Sequence, residues 1–143
     1  MRLDLDILKR LLWICTALDA IFLGILGAVF WLAARPILGV FSTDPEVVRV
    51  GVRCLRILAL FFPIWAVGMV TVQAFNGAGD TKTPTWINLF AYWVLQIPLA
   101  WTFAWPMGMG EDGIFWAIAA AQAALALIAA IAFRRGRWKS VVV

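Results

Sequence analysis

Polar residues in this chain do not recur every three or four positions. They gather in short blocks that separate four long apolar stretches. Residues 11–34, 45–76, 84–105 and 113–133 are each long enough to cross roughly 30 Å of hydrocarbon as an α-helix. A soluble amphipathic helix would carry a polar face at helical spacing, and these stretches lack one. The pattern predicts an all-α, multi-pass membrane protein with four transmembrane helices over residues 1–143.

The blocks between the stretches carry helix stops and starts. Residues 35–46 read as a connection that ends in a helix start. Asp44 is placed as N-cap, Pro45 in the first turn, and Glu46 beside the positive end of the helix dipole. The block from Gln73 to Thr85 holds both kinds of signal. Gly77 and Gly79 can take the left-handed backbone that closes a helix. Asp80 and Thr81 follow, Thr83 offers a capping oxygen, and Pro84 fits the first turn of the next helix. Residues 106–112 read as a turn.

Composition agrees with this pattern. The chain is 64% hydrophobic and 14% charged, against roughly 25% charged residues in a soluble domain. The net charge of +4 sits at segment ends and forms no basic face, so nucleic acid is not an expected partner. There is no histidine, no nucleophile–base set, no paired catalytic carboxylates and no phosphate loop, and Asp80 would repel a phosphate. Neither an enzyme nor a bound cofactor is expected, and no metal site. Cys15 and Cys54 lack metal or redox spacing and read as small buried thiols. The first ten residues are too charged for a cleavable leader.

Several residues inside the apolar stretches need an account. Asp19 lies roughly 13 Å along the helix axis from Lys9 and Arg10. At that depth a carboxylate faces a partner or a wet cavity, so it is a candidate ion or substrate ligand, or else a structural hydrogen-bonding group. Gln96 sits mid-segment and either bonds to another helix or lines a cavity. Pro63 and Pro98 predict bends, which serve as hinges or stand as static kinks. Thr16, Ala20, Gly24 and Ala28 form a small-residue stripe for close helix packing. Arg49, Arg53 and Arg56 share one helix face, either headgroup-facing or at the mouth of a pathway.

Charge also predicts orientation. Both termini and residues 77–83 fall on one side, with Arg2, Lys9, Arg10, Lys82, Arg134, Arg135, Arg137 and Lys139. The other side has Arg35, Arg49, Arg53 and Arg56, balanced by Asp44, Glu46, Glu111 and Asp112. The excess of basic residues predicts cytoplasmic termini and a cytoplasmic 77–83 loop.

Phe41 to Val47, Cys54 to Ile57 and above all Gln73 to Thr85, in this order, resemble the multidrug and toxic compound extrusion (MATE) transporters. Ile97 to Ala100, Gly113 to Ile118 and Phe133 to Lys139 extend the likeness, which covers roughly residues 30–139. The resemblance implies about twelve helices in two six-helix lobes and a plasma (inner) membrane location. It also implies export of organic cations in exchange for Na⁺ or H⁺ by alternating access. Matched order places these four helices last in the C-terminal lobe, so the chain is expected to be a fragment, inactive without the remaining helices. The family's coupling carboxylates find no match here, since no acid lies between Ile57 and Gly79. Other readings are a lipid-linked sugar flippase relative, a stand-alone four-helix exporter, or a non-transporting assembly protein. Against an exporter of broad specificity stands no residue pattern: an aromatic-lined apolar cavity with few fixed hydrogen bonds suits it.

Overall fold

The computed structural model describes residues 5–135. Seven α-helices and one π-helical segment follow one another: α1 (Leu5–Leu32), α2 (Ala34–Phe41), α3 (Pro45–Leu60), α4 (Phe62–Gly77), α5 (Lys82–Leu89), the π segment (Phe90–Gln96), α6 (Ile97–Ala104) and α7 (Glu111–Arg134). No strand occurs among the described residues. Three continuous spans, Arg10–Leu32, Lys82–Ala104 and Glu111–Arg134, have the length and hydropathy to cross a membrane, and α3 with α4 makes a fourth, broken one. Three of the four expected crossings are continuous spans, and the second crosses only if its two bent helices count as one span. The basic tail beyond Arg135 and the charges at Arg2 and Lys9 lie outside what is described.

The crossings alternate in direction. α4 packs between α1 and α7, and α7 packs on the π segment and α6. In α7 33% of the most apolar window is buried, against 11% in the first and third spans, so α7 is the central post. At one end of the bundle Phe75 and Phe133 meet edge to face at 5.6 Å with Leu12 against them. This joins the start of α1, the end of α4 and the end of α7. At the other end Arg53 of α3 pairs with Asp112 at 2.8 Å and Glu111 at 3.6 Å, in the first turn of α7.

The helix ends show which local signals operate. Asp44 caps α3 as expected, accepting the Glu46 N–H at 2.9 Å, with Pro45 in the first turn. Only one of the two loop glycines is left-handed. Gly79 has φ 81°, while Gly77 remains the last helical residue of α4. The Asp80 N–H reaches the Phe75 carbonyl and the Gly79 N–H the Asn76 carbonyl, both at 3.0 Å, the paired bonds of a Schellman ending. Capping of the next helix differs from expectation. α5 begins at Lys82, and its capping oxygen is Asp80 Oδ1, which accepts the Thr83 N–H at 3.0 Å. Thr83 caps nothing because it already lies inside the helix, as does Pro84.

Five further expectations are corrected. Residues 35–46 are not a plain connection: Ala34–Phe41 forms a short helix that leaves Val40 and Phe41 more than four-fifths exposed. The second span is not one bent helix but two, turned by 58° at Phe61, two residues before Pro63. Lacking an N–H, Pro63 has no hydrogen bond to give to the Ala59 carbonyl four residues back, so the first helix stops and Pro63 starts the second. Pro98 causes no comparable break. The helix widens into the π segment just before it and continues as α6. The small-residue stripe also rotates: Thr16 and Gly27 are buried, whereas Ala28 is exposed. Cys15 is exposed, because the outward face of α1 has no neighbour among the described helices, and Cys54 on α3 is half-buried.

Candidate functional site

α4 and α7 cross closely because Gly68 lets them. A Cβ there would lie 3.1 Å from the Ala126 Cβ. Beside this crossing the helices diverge around a cleft of about 180 Å³, walled by α4, α5, the π segment and α7. Trp65, Met69 and Gln73 come from α4, Asn88 from α5, Tyr92 from the π segment, and Gln122 and Leu125 from α7. Spacing explains the α4 contribution: positions 65, 69 and 73 share one helix face. The wider π turn places Tyr92 opposite Gln122, whose Nε2 donates to the Tyr92 hydroxyl at 3.1 Å.

The chemistry of this lining is uniform in one respect. Two aromatic rings, three carboxamides and a thioether line it, and no charged group does. Gln73 Oε1 accepts from Asn76 Nδ2 at 2.8 Å, which fixes one amide. Trp65 Nε1 is buried with no hydrogen-bond partner among the described residues, so a donor is held in reserve. Such a surface presents π faces and amide dipoles to a ligand, with few obligatory hydrogen bonds. It suits a flat or bulky apolar molecule bearing delocalised positive charge.

Of the residues expected from sequence to form a site, the cleft gathers neither principal candidate. Asp19 is half-buried on α1, which contributes no residue to the lining. Among the described residues it has no hydrogen bond or ion pair. Gln96 lies four residues after Tyr92, at the end of the π segment, with its Oε1 buried and unpartnered among the described residues. It makes no interhelical bond there. Pro63 and Pro98 stand at the break and beyond the π segment, away from the lining. Gly77, Gly79, Asp80, Thr81 and Pro84 build the turn described above, where Asp80 and Pro84 are buried. Asn88 and Gln122 are polar residues of two separate apolar stretches, and nothing in the sequence brings them together. Their convergence with Trp65 and Tyr92 depends on helix rotation, which no local signal encodes.

The arginine stripe runs from an exposed to a half-buried setting. Arg49 is exposed and pairs with Glu46 one turn earlier. Arg53 and Arg56 are half-buried. Arg53 holds α7, and Arg56 donates from Nε to the Trp31 carbonyl at 3.2 Å while lying 4.9 Å over the Trp31 ring.

Comparison with known proteins supplies a second line of evidence. The MatE family model matches residues 6–102. The chain is 31% identical over 128 residues to the probable multidrug resistance protein NorM of Brucella suis, covering 86% of this chain and 27% of that protein. It is 30% identical to the NorM of Caulobacter vibrioides over 89% of this chain and 27% of that protein. It is 28% identical to the probable multidrug resistance protein YpnP of Bacillus subtilis over 79% of this chain and 25% of that protein. The chain thus spans about a quarter of the length of these relatives. No solved structure shows significant similarity to it.

Proposed function

The chain belongs to the MATE family, and on that premise we propose that its four crossings form part of the C-terminal lobe of a multidrug efflux antiporter. The exported substrates are organic cations, exchanged for Na⁺ or H⁺ by alternating access. The observation that carries this reading is the uncharged aromatic and amide cleft between α4, the π segment and α7. Its volume lies below the roughly 300 Å³ of a drug-sized site, which fits one wall of a cavity completed by other helices. The relatives' greater length supports the same reading, in which these crossings work together with other helices.

A cleft without a carboxylate leaves ion coupling to another residue. Asp19 is the candidate in this chain, as an ionisable group inside an apolar span. The break at Phe61 supplies a site where the α3 and α4 halves can change angle during alternation. The protein lies in the plasma (inner) membrane with termini and the 77–83 loop cytoplasmic, following the basic residues. A cysteine at Lys82 then resists impermeant thiol reagents in intact cells.

The test is efflux of a fluorescent organic cation from cells lacking their own pumps. The whole native protein that carries these helices should lower cell fluorescence, and residues 1–143 expressed alone should not. The Asp19→Asn variant of the whole protein should bind the dye yet fail to move it against a gradient. Undiminished, ion-driven efflux by that variant removes Asp19 from coupling. Absence of efflux by the whole protein, for every cation tried, sinks the proposed function.

A further inference from the structure

At the end of the bundle that holds the start of α7, α2 and α3 enclose a second cleft of about 550 Å³. Arg35, Arg49, Arg53 and Arg56 line it over an apolar floor that includes Val48 and Val52. The acidic groups nearby are committed unevenly. Glu46 pairs with Arg49, and Asp112 and Glu111 pair with Arg53. Asp44 is engaged in capping α3. Arg35 and Arg56 have no carboxylate partner among the described residues, so the cleft keeps two uncompensated cations.

Arg56 is also held in place. Its Nε donates to the Trp31 carbonyl and its Cζ lies 4.9 Å over the Trp31 ring, which leaves its two terminal amino groups to donate. A guanidinium oriented in this way is suited to a phosphate oxygen pair. Depth narrows the ligand further. Trp31 is at the end of the apolar span Arg10–Leu32, and Asp112, which meets Arg53, is at the start of the span Glu111–Arg134. The two inner arginines therefore stand at the boundary of the hydrocarbon, where lipid phosphates lie. Val40 and Phe41, 84% and 83% exposed, add apolar surface on α2, the helix that also supplies Arg35 to the cleft.

We propose that this cleft binds the phosphate headgroup of an acidic phospholipid. Two unpaired cations favour a headgroup of net negative charge, since a zwitterionic one brings its own ammonium. The proposal is independent of what the protein exports.

Native mass spectrometry of the whole native protein, released from nanodiscs containing equal phosphatidylglycerol and phosphatidylcholine, tests it. The wild type should retain phosphatidylglycerol in preference, and Arg35→Gln/Arg56→Gln should lose roughly fivefold in retention per arginine removed. Arg35→Lys/Arg56→Lys should keep most of the retention, and Arg49→Gln, whose charge is already paired, should change it little. If the double Gln variant does not fold, Arg35→Gln alone, at an exposed position, should still show its fivefold share. Inorganic phosphate at millimolar concentration should not displace the lipid; displacement would identify a free-anion site and overturn the proposal. Equal retention of both lipids by the wild type, or undiminished phosphatidylglycerol on a folded Gln variant, overturns it as well.

Discussion

The Ala59 carbonyl oxygen faces Gly27 so closely that a Cβ on Gly27 would stand 2.7 Å from it. Ala59 is the residue whose carbonyl Pro63 cannot serve, four positions on. The break between α3 and α4 is thus seated on a glycine of α1, with Phe62 packed on Phe30 beside it at 5.9 Å. A backbone Cα–H close to a carbonyl of the neighbouring helix is a recurrent contact between packed helices. Gly24 continues the seat, since a Cβ there would reach ordinary contact with Pro63 at 3.7 Å.

Gly27→Ala should therefore destabilise the protein, although alanine is the better helix former. Overpacking against a backbone atom costs about 1–3 kcal/mol, and the propensity gain of roughly 1 kcal/mol offsets only part of it. Gly39→Ala is the control, because a Cβ at Gly39 meets nothing within 4 Å; it should be neutral or slightly stabilising. Thermal unfolding of both variants in detergent checks the difference. Equal unfolding temperatures would remove the seat.

Much of this arrangement was legible locally and some of it was not. The apolar spans follow from long runs of sequence, and the Asp44 start and the left-handed Gly79 from signals within a few residues. Gly27 carries no such signal, because its importance comes from a carbonyl more than thirty positions away. Pro63 announced a bend, but the break falls at Phe61, since the lost hydrogen bond belongs to the turn before the proline. The candidate cleft was similarly hidden. Asn88 and Gln122 stand as polar residues in separate apolar stretches, and only the π turn and the Gly68–Ala126 crossing bring them and Tyr92 to one place.

Asp80 offers a sharper test of the loop. Its side chain is buried and accepts the Thr83 N–H at the start of α5. Asp80→Ala removes the capping oxygen, and a lost cap costs about 0.5–2 kcal/mol. Asp80→Asn keeps an acceptor in the same place and should retain most of the stability. Thr83→Ala should matter little, which separates this arrangement from one in which Thr83 is the cap. Unfolding midpoints of the three variants decide it, and a larger loss in Thr83→Ala than in Asp80→Ala would reverse the assignment.

Under the proposed function, Tyr92 tests whether the cleft recognises a cation through a ring or through a hydroxyl. Its hydroxyl accepts from Gln122 Nε2 at 3.1 Å, and hydrogen bonds between membrane helices average roughly 0.6 kcal/mol. Tyr92→Phe and Gln122→Ala should each cost little stability, and the double variant should show coupling of similar size. The π face is a separate quantity. A cation over an aromatic ring gains about 0.5–2 kcal/mol, equivalent to roughly 2–30-fold in affinity. Tyr92→Phe keeps the ring and should leave the concentration dependence of organic-cation efflux nearly unchanged. Tyr92→Ala should raise the half-saturating concentration within that range, with no equal effect on an uncharged substrate of similar size. If Tyr92→Phe weakens efflux as much as Tyr92→Ala, the hydroxyl and its amide partner, not the ring, form the recognition element.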